Sequence, residues 1–310
     1  MTVQEITSKP KAGRKPQVAI MNAVHDLPVL VARDLGFFKD EGLDIEFVTT
    51  PGMAQVTTSH FVKFDSIFDR PLDSAYNDGG IDTYRMCEWG IMKRAVEAEA
   101  QGIRRRRIVA LGASMSMFAI AVRRDSKFYA PEMLKDQPIA VTPNNGSHFT
   151  TLKMMEGFLE PKHLKVTNVG TMPQRLQALR DGKVAAVSLM EPWISVAQKQ
   201  GLRILIESHS TRAEAAGDEL DGETLKKMFR AQARAVEALE TDPTPFIKYF
   251  VAETGGLIEE RDFQSWRLLH APPTPYTRER FDDEYNWTVK WNMTVPGATF
   301  ENTVDNRAWE

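Results

Sequence analysis

The chain of 310 residues has a single cysteine, Cys87. An intrachain disulfide is therefore impossible, and no cysteine-based zinc site can be assembled. No apolar run approaches the ~20 residues that span a bilayer, so no helical membrane insertion is expected. The formal net charge is only −3, which provides no general attraction to nucleic acid. The one dense run of like charge, Arg104-Arg105-Arg106-Arg107, precedes a predicted strand at 108–111 and reads as a solvated edge or an anion-facing turn. The first 17 residues, MTVQEITSKPKAGRKPQ, lack the apolar stretch of a secretory leader. They read as a flexible tail, and the expected compartment is the cytoplasm, or the periplasm if a leader has been removed.

What the chain does have is a dense local signal at 25–46, HDLPVLVARDLGFFKDEGLDIE. Leu27, Leu30, Val31, Leu35 and Phe38 recur at helical spacing. Asp26 suits the N-cap of that helix and Pro28 its first turn. Lys39-Asp40-Glu41-Gly42 ends it, and Leu43, Ile45 and Phe47 then alternate as in a half-buried strand. Val18-Ala19-Ile20 supplies the preceding strand. The order strand, helix, strand predicts an α/β unit, in which ligands sit at the loops that follow the strands.

Further along, 49–78 is rich in aromatic and acidic residues: His60, Phe61, Phe64, Asp65, Phe68, Asp69, Asp73 and Tyr76. His60, Asp65, Asp69 and Asp73 match no metal-ligand spacing, so the segment reads as a solvated loop and no metal is expected. A helix is predicted over 90–101, strands at 108–111 and 118–122, and then a second α/β set. That set has strands at 138–141, 165–169 and about 184–187, helices opening at Asn145-Gly146 and running to about 159, over 174–180 and from Trp193, and a closing strand at 202–206. Leu225, Met228, Phe229, Ala233 and Val236 mark a later helix face, and 285–291 another. The stretch 209–222 is polar and acidic and gives no strand signal. An echo links the halves: Gly80-Ile81-Asp82 followed by Cys87-Glu88-Trp89, and Gly182-Lys183-Val184 followed by Glu191-Pro192-Trp193.

The motif Leu27-Pro28-x5-Asp34-x-Gly36-Phe37-Phe38-Lys39-Asp40-Glu41-Gly42-Leu43-Asp44-Ile45 resembles the first βαβ unit of the sulfonate, nitrate and taurine solute-binding proteins. These share the type II periplasmic-binding-protein fold with thiamine pyrimidine synthases and, more distantly, with aromatic desulfinases. The resemblance implies an α/β chain of two lobes around a ligand cleft. Lobe one would be 18–112 with 208–310, and lobe two 113–207. It also implies capture of a small, anionic, aromatic molecule by hinge closure, with an ABC transporter permease as partner if the protein is exported. The alternative is a cytoplasmic enzyme on the same fold that cleaves a C–S or C–C bond of a small aromatic acid. The desulfinases carry their nucleophilic cysteine in the first loop, where this chain has His25. The pyrimidine synthases use a cysteine-rich iron motif, which one cysteine cannot supply, and no cofactor is expected.

The loops after the strands contribute the candidate ligand-binding residues His25, Asp26, Thr50, Gly52, Glu88, Trp89, Asn145, Gly146, Ser147, His148, Glu191 and Trp193. Asn145-Gly146-Ser147 opens a helix and suits a carboxylate, sulfonate or phosphate, although a plain cap would look the same. His25 can donate to an anion or act near neutral pH as an acid or base. Glu88 and Glu191 can face each other across the cleft. Trp89 and Trp193 can stack on a flat ligand or belong to the core. If the protein is an enzyme, Cys87, His25 and Glu88 are its catalytic candidates.

Overall fold

The structure, a computed structural model, describes residues 14–50, 67–293 and 295–310. Along the chain these form β1 (Gln17–Ile20), α1 (Ala23–Asp34), α2 (Phe37–Asp40), β2 (Glu46–Thr49), α3 (Pro71–Asn77), β3 (Thr83–Met86), α4 (Glu88–Gln101) and β4 (Arg107–Val122). There follow β5 (Pro138–Val141), α5 (Gly146–Met155), β6 (Lys165–Asn168), α6 (Met172–Arg180), β7 (Ala186–Met190), α7 (Trp193–Lys199) and β8 (Arg203–Ala216). The C-terminal part adds α8 (Gly222–Thr241), α9 (Lys248–Glu253), β9 (Leu269–His270), α10 (Arg278–Lys290) and α11 (Phe300–Thr303). Among the described residues all the strands join one sheet, in the order β2-β1-β3-β8-β4-β7-β5-β6, with β9 paired to β4.

The sheet has two parallel wings. β1 pairs in parallel with β2 and β3, and β5 with β6 and β7. The antiparallel pair β4 and β8 stands between them. These strands are long, 16 and 14 residues, and reach into both wings: β8 joins β3 through residues 213–216, and β4 joins β7 through residues 118–121. Parallel strands need crossover helices, so both wings are covered; the inner strands β1, β3, β5 and β7 are largely buried, while the edge strands β2 and β6 are partly exposed. The helices cover the wings with one apolar face each. In α8 Leu225, Met228, Phe229, Val236 and Leu239 are buried, and Asp221 caps the helix by accepting from Thr224 N at 2.7 Å.

Several sequence expectations need correction. The strands expected at 108–111 and 118–122 are one strand; Gly112, Ser114 and Ser116 interrupt the apolar pattern, and β4 continues through a register shift in its pairing with β8. The closing strand does not stop at 206. β8 continues through His209, Ser210, Thr211 and Arg212 to Ala216, so the return crossing lies where no strand was legible. Its polar residues have dedicated partners, which is why the stretch looked like a loop. Helix α5 stops at Met155 rather than near 159, and β1 already begins at Gln17. Helix α1 starts earlier than expected: Asn22, not Asp26, is its N-cap, and Pro28 stands in the second turn.

The arginine run is not a solvated edge. Arg106 is fully buried and meets Asp73 at 3.0 Å, Arg104 holds Asp82 and Glu219 at 3.0 and 2.7 Å, and Arg105 and Arg107 reach Asp218. Asp73 also binds Arg94 at 2.7 Å and is fully buried, so this part of the acidic segment is a structural anchor. His60, Phe61, Phe64, Asp65 and the candidate Gly52 lie outside the described residues.

Candidate functional site

The pairing of β4 with β8 shifts register at three points, the widest between Leu111 and Met115. Leu111 faces Ala213 and Met115 faces Thr211, so Gly112, Ala113 and Ser114 all stand opposite Arg212. Such a bulge re-aims the residue it faces. The bulge keeps its hydrogen bonds by turning to β9: Ser114 pairs with His270, and Ala271 N donates to Ala113 O at 3.2 Å. Gly112 permits the close approach, since a Cβ there would lie 3.1 Å from the Arg212 carbonyl.

Arg212 itself is 1% exposed and has no carboxylate partner among the described residues. Its Nε donates to Ser116 Oγ at 2.8 Å, and its Nη1 to Ser210 Oγ and Thr211 O, both at 3.2 Å. Nη2 has no partner. The Phe118 ring lies 5.5 Å from the guanidinium. Ser116 and Ser210 are cross-strand neighbours, and their small side chains leave room for the guanidinium between them. Burial, partly offset by Cys87 and Glu88 nearby, pulls the arginine down to about 10, which still leaves it charged at neutral pH. A buried charge of this kind is costly unless something of opposite sign reaches it.

What Arg212 faces is the start of α5. The Cβ position of Gly146 is 3.9 Å from Arg212 Nη1 and 3.8 Å from Cys87 Cβ. Asn145 caps α5 by accepting from Ser147 N at 3.2 Å. Ser147 is 1% exposed, and its Oγ accepts from Thr142 N at 3.1 Å and Arg175 Nη2 at 3.2 Å. His148 Nδ1 accepts from Asn144 N at 3.2 Å, and burial lowers its pKa, so it acts as a neutral brace for the turn. Beside this stands the start of α4, where Cys87 is the N-cap residue without a side-chain capping bond. Two helix N-termini and an unpaired guanidinium thus converge, and all three favour negative charge.

Aromatic rings close one side. Trp89 stacks on Phe149 at 4.9 Å, and Lys153 Nζ sits 4.9 Å over the Trp89 ring while bonding Glu284 at 2.7 Å. Trp89 Nε1 donates to Glu284 at 2.6 Å. Glu88 is no longer a plausible acid or base. Its carboxylate accepts from Thr211, from Tyr276 at 2.6 Å and from Arg280 at 2.8 and 2.7 Å, which fills its four lone-pair directions. Burial pushes its pKa up, but these donors more than reverse that and hold it ionised.

The first loop is shorter than expected and mostly committed. Asp26 is fully buried and accepts from Met21 N at 2.6 Å, Asn22 N at 2.9 Å and Arg85 at 2.7 Å. Thr50 is buried, with its N–H on Ile20 O at 2.9 Å and its hydroxyl without a partner among the described residues. His25 Nδ1 lies 2.6 Å from Asn22 Oδ1, which also accepts the His25 N–H. Burial first, then Arg212 and Arg85, lowers the His25 pKa well below its ordinary value. The ring is therefore neutral, with Nδ1 donating to Asn22 and Nε2 left as an acceptor. The expectation that His25 donates to an anion is corrected accordingly; it suits a donor group on a ligand.

The α1 N-terminus is already occupied: Glu253 accepts from Ala23 N at 2.9 Å. Burial raises this glutamate to about 7, against an ordinary 4.5. The folded protein then holds a proton that the unfolded chain has released, so this stability is present below about pH 4.5 and lost as pH rises through about 7. Glu253→Gln is expected to remove this dependence and to stabilise the protein at pH 8 by up to about 3 kcal/mol. Chemical denaturation at pH 5 and pH 8 checks it; an unchanged slope with pH in the variant would refute the assignment.

Glu191 and Trp193 do not join the cluster. Glu191 follows β7 and accepts from Ser195 N and Oγ and from Arg267, all at 3.1 Å; it shares no partner with Glu88 among the described residues. Burial raises its pKa, opposed by Arg267. Trp193 is packed in the core. No group of three or more His, Cys, Asp or Glu positioned to hold a metal ion occurs among the described residues. Arg212 and Arg175 were missed from sequence. For Arg212 the signal is weak alternation, Ser208, Ser210, Arg212 and Glu214 against Ala213 and Ala215. For Arg175 it is an arginine on the same face of α6 as Met172, Leu176 and Leu179.

No protein-family model matches the sequence, and no curated protein matches it either. Solved structures match along nearly the whole chain. An alkanesulfonate-binding protein, SsuA from Xanthomonas axonopodis pv. citri, superposes with a TM-score of 0.71 at 14% identity, covering 94% of this chain and 98% of that one. The periplasmic nitrate-binding protein NrtA from Synechocystis gives 0.66 at 13% identity, over 95% and 87%. The desulfurization enzyme DszB gives 0.58 at 13% identity, over 93% and 95%. At such identities these likenesses establish the fold alone: the chain has the two-lobed, periplasmic-binding-protein-like α/β fold.

Proposed function

We propose that the protein binds a small anion with an aromatic body in the cleft between its lobes. The observation that carries this reading is Arg212 Nη2, buried and without a partner among the described residues, beside the start of α5. The acidic group would lie between Arg212, Gly146 N–H and Ser147 Oγ–H, the ring against Trp89 and Phe149, and a ligand donor against His25 Nε2. Asp26, Glu88 and Glu191 serve as supports in this reading, since their oxygens are already taken. The similarity to sulfonate- and nitrate-binding proteins agrees with it.

Lobe one would comprise 18–112 with 208–310 and lobe two 113–207, the bulge at Gly112–Ser114 acting as one hinge. Closure would be held by Lys153 on Glu284 and by Glu156, which accepts from Trp287, Trp291 and Lys290 at 3.2, 3.1 and 2.8 Å. A transporter permease is the partner if the protein is exported; no helix among the described residues is long and apolar enough to cross a membrane. Sequencing the N-terminus of the native protein decides between cytoplasm and periplasm.

Calorimetric titration with benzoate, benzenesulfinate and benzenesulfonate tests the binding reading. Saturable binding of at least one, and none of neutral benzamide, is expected; no anion bound, or equal binding of benzamide, would overturn it. A second reading, cleavage of a C–S or C–C bond, is favoured by one observation: Arg212 lies close to both Cys87 and the neutral His25. Product analysis of each bound anion decides it, and turnover surviving Cys87→Ala and His25→Ala would remove those residues from the chemistry.

A further inference from the structure

Arg175 of α6 is the second buried arginine near this site, and it also has no carboxylate among the described residues. It is 2% exposed, and all its partners are neutral: Ser188 O at 2.7 Å, Thr142 Oγ1, Ser147 Oγ at 3.2 Å and Gly170 O at 3.3 Å. Its Nε is unpartnered. Burial alone pulls it down to about 9, so it remains a cation at neutral pH. Its contact with Ser147 has a consequence for that hydroxyl. A serine oxygen has two acceptor positions and one proton. Thr142 N and Arg175 Nη2 fill both acceptor positions, and no described residue accepts the proton, although Ser147 is buried.

We propose that Arg175 is a positioning residue for ligand recognition: by donating to Ser147 Oγ it fixes that hydroxyl as a one-way donor, so the α5 N-terminus selects an acceptor-only oxyanion. The proton has one remaining use, which is a bond to an atom that carries none of its own. A ligand group presenting only N–H there, such as an amide nitrogen, would meet donor against donor, and a protonated acid would offer less acceptor capacity than its anion. The specificity is for fully ionised carboxylate, sulfinate or sulfonate oxygens. Arg175 would act without touching the ligand, through Ser147 alone.

This inference rests on the anion reading above, and the experiment separates the two. The probe is benzenesulfonate at millimolar concentration, titrated against the full chain carrying Ser147→Ala, Arg175→Met, both changes, or Arg175→Lys. Loss of one charge-assisted donor is expected to weaken each of the first two variants about tenfold. The double variant should be no weaker than Ser147→Ala alone, because the two act as one unit. Arg175→Lys, which keeps a charged donor, should recover most of the affinity. A merely structural arginine would give additive losses of about a hundredfold in the double variant, and that result overturns the proposal, as does unchanged binding in Arg175→Met. Arg175→Gln replaces the methionine variant in the cycle if the latter does not fold. If wild type binds none of benzenesulfonate, benzenesulfinate and benzoate, the proposal falls with the anion reading; if it binds only one of the latter two, that anion replaces benzenesulfonate as the probe. If wild type binds it and Arg212→Met does not, the anion reading stands whatever the cycle gives.

Discussion

Arg212→Met is expected to abolish anion binding and, at the same time, to raise the melting temperature of the unliganded protein. The two effects share a cause. Among the described residues Arg212 is held by two serine hydroxyls and one carbonyl, with Nη2 unpaired and no carboxylate in contact. Folding must desolvate this charge without an ion pair to offset it, and replacing such a group with an apolar one of similar volume is typically stabilising by about 1–4 kcal/mol. In a chain of this size each kcal/mol is worth roughly 2–4 °C. Losing the charged contact should cost binding about 2–5 kcal/mol, or a factor of about 30 to several thousand. Titration of benzenesulfonate against the variant, with calorimetric melting of both proteins in the absence of ligand, checks the pair. A residue that only supports the fold would move both quantities the same way: a variant that melts lower and still binds would remove Arg212 from the site.

Arg85→Met is expected to act in the opposite sense on stability and to be among the most damaging changes in the chain. Arg85 lies on β3 directly opposite Glu214 of β8 and bonds it at 3.1 Å. It also binds Asp26 at 2.7 Å and Ala19 O at 3.1 Å. All three side chains are buried. Burial already raises the pKa of both carboxylates, with Arg85 as the main opposing influence. Removing the arginine leaves two buried acids beside each other, at a cost of about 3–5 kcal/mol and a fall in melting temperature on the order of 10 °C. Both carboxyls would then take up protons, so the variant should recover part of the loss as pH falls from 7 towards 5. Arg85→Lys should not rescue it, since one ammonium cannot reproduce the fork that spans both carboxylates. Melting curves at the two pH values test this; a loss independent of pH would mean that packing, rather than charge, dominates at Arg85.

The first βαβ unit was legible because it follows local rules. The apolar spacing of Leu27, Leu30 and Val31 and the alternation of Leu43, Ile45 and Phe47 both reflect one buried face. Where residues serve partners distant in sequence, the local rules fail. Asp26 reads as a cap, but its carboxylate is taken by Arg85, 59 residues away, and Asn22 has the capping role. The segment 209–216 reads as a loop because Ser210, Arg212 and Glu214 are polar, yet Ser210 and Glu214 pair across the sheet with β4 and β3, and Arg212 donates to Ser116 of β4. The arginine run reads as surface because its carboxylates, Asp73, Asp82, Glu219 and Asp218, come from other elements.

The site was legible in the same uneven way. Asn145-Gly146-Ser147 at the start of α5 is a local cue, and the structure places it beside Arg212 and Cys87. The guanidinium that gives this turn its charge comes from β8, and the arginine that orients Ser147 from α6. Neither contact has a local signature. Glu88 and Glu191 illustrate the converse error: two acids in corresponding loops looked like a facing pair, and each instead closes its own network with an arginine, Arg280 and Arg267 respectively.

The most direct test of the account is a crystal structure of the wild-type protein grown with benzenesulfonate. The account predicts the sulfonate oxygens within hydrogen-bond distance of Arg212 Nη2, Gly146 N and Ser147 Oγ, with the ring against Trp89 and Phe149. A sulfonate bound elsewhere, or an Arg212 whose Nη2 faces only solvent water in the complex, would contradict it.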